Sequence, residues 1–246
     1  MKLWTFQSLD RWQTLQDEGV LHTPPFCSGE TACIACTWMA EQLTKRTGPS
    51  TSGTFNPIWA WYKPGAKRGP SPRLRSESSV WSAEKIVRLE IEIPDSDVLL
   101  SNYYFWENIT FGFQLAQSGQ EMGELVKELN SAGFAIPCSD ARCAEQHDTS
   151  DFRQSNGVAF LSLCPHSSTT LRHPELGPSI RRRWEFIFDP NFLNYKMESW
   201  GWLQAALWEI RLDQVVQVKH FSREQLNRKE AKEALNAAAS DTRLQK

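Results

Sequence analysis

The chain has 246 residues and a mass of 28.2 kDa, enough for one large domain or two small ones with a sizeable core. Lys plus Arg number 27 against 29 Asp plus Glu, so no chain-wide positive field attracts nucleic acid and any basic patch must be local. With 40% hydrophobic and 11% aromatic residues, the composition excludes a disordered, collagen-like or coiled-coil chain.

In chain order, Leu3 to Ser8 reads as a strand, and Ser8 caps a helix through Glu18 whose apolar face is Leu9, Trp12 and Leu15, closed by Gly19. Ile34, Trp38, Met39 and Leu43 at helical spacing predict a second helix over Glu30 to Arg46, broken by Gly48, Pro49 and Gly53. Ile58 to Tyr62, between Pro57 and Pro64, predicts a short aromatic strand. Its alternation sets Trp59 and Trp61 on one face and Ile58, Ala60 and Tyr62 on the other, with the indoles expected in the core and Tyr62 beside a cleft. Lys63 to Ser82 is rich in Pro, Gly and Ser and carries Lys63, Lys67, Arg68, Arg73 and Arg75, which fits either a solvated surface loop or an anion-binding loop.

Val87, Leu89, Ile91 and Ile93 alternate with Arg88, Glu90 and Glu92 and stop at Pro94, the pattern of a strand with one buried and one polar face. Val98 to Leu100 and the aromatic run Tyr103 to Trp106 precede a helix over Gly119 to Asn130 with Met122, Leu125, Val126 and Leu129 inward. Residues 131 to 157 read as an irregular connection, Val158 to Leu163 as a strand, and Cys164 to Ser179 as a loop punctuated by Pro165, Pro174, Gly177 and Pro178. Arg181, Arg182 and Arg183 form a second small basic cluster. Trp202 to Trp208 fits helix or strand, whereas Glu209 to Leu212 and Val215 to Val218 read as extended around a turn at Asp213. Ser222 with Gln225 resembles a capping box opening a polar helix with a solvated face.

Strands interspersed with helices, without regular βαβ spacing, predict a single α+β domain over 1–221 followed by the C-terminal helix 222–246. No Gly-x-Gly-x-x-Gly or P-loop motif is present, which removes the usual dinucleotide and nucleoside-triphosphate folds. No apolar run reaches the roughly 18 residues of a membrane span, and the first 21 residues lack the basic start and apolar centre of a signal peptide, so a cytoplasmic chain is expected.

Six cysteines then read as thiols, since a core of this size needs no disulfide staples. Cys33, Cys36, Cys138, Cys143 and His147 form the one metal-like spacing; ordinary helix and loop cysteines explain it as well, and no metal is expected. Eleven tryptophans follow no repeat period, which argues against a propeller or solenoid and leaves core packing as their main role, with stacking on a flat heterocycle open to a few. None of His22, His147, His166, His173 and His220 stands beside a nucleophile elbow, so serine-hydrolase chemistry is not indicated. Glu90 and Glu92 share the polar face of one strand, where salt-bridged surface is expected instead of glycosidase chemistry.

Three segments carry a resemblance. Leu3-Trp4-Thr5-Phe6-Gln7, Pro57-Ile58-Trp59-Ala60-Trp61-Tyr62 and Gln204-Ala205-Ala206-Leu207-Trp208-Glu209-Ile210-Arg211-Leu212 look like the signature stretches of a widespread bacterial family of similar length whose activity is not settled. More distantly, four features in order resemble the ADP-ribosyltransferase fold: a strand with a Ser-capped helix, an aromatic strand, the Val87-Arg88-Leu89-Glu90-Ile91-Glu92-Ile93 strand, and a late strand opened by Glu. That resemblance implies two short sheets clamping NAD in a cleft, with a His or Arg on the first strand, an aromatic or Ser on the second and a Glu at the start of a later one. Carried over, these positions fall on Thr5 or Gln7, on Trp59 or Tyr62, and on Glu209. Thr5 stands where the resemblance would put His.

On this reading Glu209 stabilises the oxocarbenium-like centre formed when the nicotinamide bond breaks, Tyr62 stacks on nicotinamide, and Arg73 or Arg75 neutralises the pyrophosphate. The plain alternatives are a solvent-facing strand residue, core packing and surface charge. Two classes of function therefore stand open. One is an enzyme transferring ADP-ribose from NAD to a protein, nucleic acid or small molecule. The other is a non-catalytic module that binds a nucleotide, nucleic acid or protein on the same fold.

Overall fold

The computed structural model describes residues 1–23, 29–53, 56–63, 85–134, 159–162, 167–189 and 203–222. The basic loop residues Lys67, Arg68, Arg73 and Arg75, the second thiol cluster Cys138, Cys143 and His147, and the C-terminal helix beyond Ser222 lie outside them. Ser222 itself closes a strand.

Strand β1 (Lys2–Ser8) runs directly into helix α1 (Leu9–Glu18). The Ser8 hydroxyl accepts the Arg11 amide at 3.4 Å, and Gly19, at φ 75°, returns its amide to the Leu15 carbonyl, a left-handed closure that a side chain would strain. Helix α1 leads to the short strand β2 (Val20–His22), and α2 (Glu30–Thr47) is the long helix that the Ile34, Trp38, Met39, Leu43 spacing predicts. Then come β3 (Ile58–Lys63), β4 (Lys85–Glu92) and β5 (Leu99–Asn102). The run Tyr103 to Trp106 begins helix α3 (Tyr103–Thr110), with the Asn102 side chain accepting the Phe105 amide at 3.3 Å. Strand β6 (Phe113–Ala116) and helix α4 (Gly119–Ser131) follow. Ser118 caps α4 by accepting the Glu121 amide at 3.1 Å, and the Glu121 carboxylate reaches back to the Gln117 amide at 2.7 Å.

Strand β7 (Ala159–Ser162) pairs with β6. The loop reading of 164–179 is overturned, because helices α5 (Ser167–Arg172) and α6 (Leu176–Arg183) occupy much of it. Pro178 sits in the first turn of α6, where a missing amide removes no helical bond. His173 Nδ1 accepts the Glu175 and Leu176 amides at 3.4 and 3.3 Å. Gly177 permits close approach: a Cβ there would lie 2.2 Å from the Leu171 carbonyl oxygen. A short 3-10 turn, Trp184–Phe188, leads away from α6, and the chain is next described at β8 (Leu203–Leu207), β9 (Glu209–Arg211) and β10 (Val215–Ser222).

The principal sheet has six strands in the order β10-β4-β1-β3-β8-β5, with antiparallel pairings throughout. Where the resemblance implies two short sheets, the described strands form this one sheet and two two-stranded ribbons, β2-β9 and β6-β7. Both faces of the sheet's inner strands are covered, whereas the edge strand β10 is largely exposed. One core gathers Trp38, Met39, Leu43, Phe105, Ile109, Leu125 and Ile180 from α2, α3, α4 and α6 and Trp184 from the 3-10 turn, with Leu99 and Ala206 from the sheet. The other gathers Leu15 of α1 and Leu21 and Ile210 of the β2-β9 ribbon over Leu3, Ile58, Ala60, Leu89, Ala205 and Leu207. Neighbouring residues of β8 thus enter different cores.

The cleft expected along one face of β3 is not open at Ile58 and Ala60, each 2% exposed, and Trp61 on the opposite face is 7% exposed. Helices on one side and a helix and ribbon on the other bury these positions, while Trp59 and Tyr62 stay half-buried. The polar face expected of β4 is present but partly covered: Arg88 is buried, Glu90 half-buried and Glu92 exposed. Cross-strand partners share a face, and the register sets Gln217, Glu90, Trp4, Trp61, Gln204 and Ser101 in one row across all six strands. Within that row the Trp4 indole donates to Glu90 at 3.0 Å and the Gln204 amide to the Ser101 hydroxyl at 3.1 Å. Lys2 donates to Glu90 at 2.7 Å and lies 3.8 Å from Glu92, the salt-bridged arrangement expected of those two carboxylates. The Lys2 hydrogen bond, against opposing desolvation and with Trp4 adding to it, holds the Glu90 carboxyl below the usual range.

Arg183 of the triple-arginine cluster ties α6 to α4. Its guanidinium donates to Glu128 at 2.7 and 3.1 Å and to Ser179 at 2.6 Å, and Ser179 donates to Glu128 at 3.0 Å. The hydrogen bond from Arg183 draws the Glu128 carboxyl below its ordinary value. Its stabilisation is therefore complete above about pH 4.3, the unfolded carboxyl value, and is lost as pH falls through the lower folded value. Arg183→Met should cost about 2 kcal/mol at neutral pH, and Glu128→Gln should flatten part of the acid limb of stability against pH; urea melts between pH 3 and 7 test both. Truncation on either face of β3 should be costly, about 2–5 kcal/mol for Ile58→Ala and about 3–5 kcal/mol for Trp61→Ala. Denaturant melts showing either variant near wild-type stability would contradict the two-sided core.

Candidate functional site

Glu209 opens β9, where it pairs with His22 across the ribbon, while Leu21 and Ile210 pair beside them and are buried. Alternation along the strands therefore turns Glu209 and His22 outward together. The turn after α2 comes up against them. Trp208 donates its indole N–H to the Gly48 carbonyl at 2.8 Å and anchors this turn, and Thr51 Oγ1 donates to Glu209 Oε2 at 2.9 Å. Ser52 Oγ lies 3.2 Å from His22 Nδ1. Arg11 Nη2 of α1 donates to the His22 carbonyl at 3.0 Å, and Thr23 donates to the Pro57 carbonyl at 3.1 Å. The result is a surface patch holding the Glu209 carboxylate, the His22 imidazole and the Thr51 and Ser52 hydroxyls, with the Arg11 guanidinium tied to its backbone.

The other residues singled out in the sequence are placed differently. Thr5 and Gln7 are 1% and 8% exposed. The Thr5 hydroxyl donates to the Trp59 carbonyl at 2.8 Å and receives the Gln7 amide at 2.7 Å, so this pair ties β1 to β3 inside the sheet. Trp59 is half-buried with its ring centroid 4.9 Å from that of Trp106. Tyr62 is half-buried against the second core, four residues along β3 from Ile58, whose partner on β8 is Leu207. That is about 13 Å of strand, so Tyr62 stands at the opposite end of β3 from the Glu209 patch. Cys33 and Cys36 stand half-buried on α2, and no group of three or more His, Cys, Asp or Glu side chains among the described residues is arranged to hold a metal ion.

Sequence reading singles out Glu209 but misses Thr51, Ser52, His22 and Arg11. The Ser50-Thr51-Ser52 run between Gly48 and Gly53 reads locally only as the break after a helix, and nothing in it reports a carboxylate 158 residues later. The Ser52 and His22 contact, across 30 residues, is equally illegible from spacing alone.

Fold and site together define an α+β protein with a doubly covered antiparallel sheet and an outward-facing, hydroxyl-held carboxylate on a satellite ribbon. The profile of the family described as a domain of unknown function, DUF3841, matches residues 2–216, and the chain belongs to that family. No curated protein and no solved structure matches the chain. Among the described residues no helix is long and apolar enough to cross a membrane.

Since Thr51 is exposed and Glu209 half-exposed, Glu209→Gln and Thr51→Val should each leave stability within about 0.5 kcal/mol of wild type, as urea melts would read. A large loss in either would make the pair a structural clasp.

Proposed function

We propose that this protein is an ADP-ribosyltransferase-like enzyme that uses NAD as its substrate, with Glu209 as the catalytic carboxylate. The observation that supports this reading best is the 2.9 Å hydrogen bond from Thr51 to Glu209. A carboxylate at the start of a late strand, held in one orientation by a fixed hydroxyl and free to present its other oxygen, is suited to a ribose hydroxyl and to positive charge at the adjacent anomeric carbon. In the reaction the bond between that carbon and the nicotinamide nitrogen breaks, nicotinamide leaves with the electron pair, and an acceptor nucleophile forms the new bond and sheds its proton.

Glu209 acts by lowering the energy of the oxocarbenium-like centre, and Thr51 acts by keeping the carboxylate aimed. Thr5, whose hydroxyl is already given to the Trp59 carbonyl, leaves ribose recognition to the ribbon side of the protein. Arg73 and Arg75 remain the proposed pyrophosphate contacts from the basic loop. The reading places the enzyme in the cytoplasm, where NAD is plentiful.

Labelled NAD incubated with the protein, with and without cell lysate, should yield nicotinamide. Glu209→Gln should lower that release by on the order of a hundredfold, and Thr51→Val should lower it by a smaller factor through kcat. NAD binding without nicotinamide release would make the chain a non-catalytic nucleotide-binding module. Wild-type turnover in a stably folded Glu209→Gln protein would remove this residue from the chemistry.

A further inference from the structure

Among the described residues, Arg11 is a guanidinium without a counter-charge. Positions 7, 8, 14 and 15, the neighbours of residue 11 one turn away on α1, hold Gln, Ser, Thr and Leu, so the helix offers it no carboxylate. Among the described residues its one side-chain hydrogen bond is from Nη2 to the His22 carbonyl, and its buried Nε has no acceptor. Burial also lowers the guanidinium pKa of Arg46 and Arg88, but there Glu185 and Glu90 work against the shift; at Arg11 desolvation acts alone. An arginine kept half-buried and uncompensated is expensive unless an anion comes to it.

Its surroundings fit such an anion. The carbonyl that positions Arg11 belongs to His22, whose ring meets the Ser52 hydroxyl at 3.2 Å. His22 lies directly across the ribbon from Glu209, with Cα atoms about 5 Å apart in such pairs. Imidazole and hydroxyl therefore lie beside a carboxylate that Thr51 holds, and the guanidinium is tied to the backbone of the same His22. A ligand lying across this patch meets a hydrogen-bond acceptor at Glu209 and a cationic, donor-rich edge at Arg11. The planar guanidinium matches phosphoryl oxygens, and an anion there meets its Nη groups while Nε stays buried.

We infer that Arg11, with Ser52 and His22 beside it, is a binding site for the phosphoryl groups of a ribose phosphate, seating the pyrophosphate of a nucleotide whose ribose lies toward Glu209. The inference deepens the proposed use of NAD and rests on it for the identity of the nucleotide, but not for the anion site itself.

Calorimetric titration at low salt with ADP-ribose as the probe tests it. Arg11→Met should raise the ADP-ribose Kd at least tenfold, Arg11→Lys should restore part of the affinity, and Ser52→Ala should raise the Kd by a smaller factor. In the wild-type protein inorganic pyrophosphate should compete with ADP-ribose, whereas adenosine should not. Equal ADP-ribose affinity in wild type and a folded Arg11→Met variant would overturn the inference. If that variant does not fold, an unchanged Kd in Ser52→Ala together with no competition from pyrophosphate would overturn it on proteins that do. The two proposals fail separately: Arg11-dependent ADP-ribose binding without nicotinamide release sinks the enzyme reading alone, and nicotinamide release with an unchanged KM for NAD in Arg11→Met sinks the anion site alone.

Discussion

The inner strands of the six-stranded antiparallel sheet bury side chains on both faces and so require two covers, and this chain builds them unequally. Helices α2, α3, α4 and α6 close one side around Trp38 and Trp184, whose rings meet edge to face at 5.3 Å. The other side has only α1 and the β2-β9 ribbon, so Leu15, Leu21 and Ile210 carry the burial there. Residues 205 to 207 of β8, Ala-Ala-Leu, alternate between the two cores, and the small side chains at 205 and 206 let both covers approach this strand, one in from the sheet's edge.

Burying a sheet on both faces leaves polar side chains nowhere to go except toward one another. Thr5 and Gln7 hydrogen-bond in series to the Trp59 carbonyl, Gln204 reaches Ser101, and Glu90 takes the Trp4 indole and the Lys2 ammonium. Each of these groups would cost energy if buried alone, so each pair also favours one strand register over a shifted one. The same logic separates the residues that serve the fold from those that face outward. Thr5 and Gln7 belong to the sheet, whereas Glu209 and Thr51 meet at the surface with no core role.

The ribbon is where fold and chemistry meet. Its inward residues, Leu21 and Ile210, help to complete a core, and that duty fixes the outward direction of His22 and Glu209 on the alternate positions. Trp208, packed at the edge of the opposite core, donates to Gly48 and so brings the Thr51 and Ser52 turn against the ribbon. A carboxylate, an imidazole and two hydroxyls from three distant parts of the chain thus owe their proximity to packing contacts made for stability. Arg11 joins them because Ser8 starts α1 where β1 ends, and its guanidinium then donates to the His22 carbonyl.

The sequence by itself determined the elements whose signals are local. Ser8 and Gly19 bound α1, helical spacing from Ile34 to Leu43 marks α2, alternation from Val87 to Ile93 marks β4, and Glu209 stands out at the head of a late strand. Capping and periodicity are properties of a few consecutive residues, so they survive without knowledge of the rest. Only the tertiary structure decided what those elements face. Alternation at Arg88 and Glu90 looks like a solvent face until β1, β3 and β8 extend the row across a buried sheet. Pro174, Gly177 and Pro178 look like loop residues until His173 satisfies the first amides of α6 and α5 packs closely over Gly177. The contacts of Glu209 with Thr51 and of His22 with Ser52 and Arg11 depend on strand order and on which face of the ribbon is buried, and no stretch of sequence encodes either.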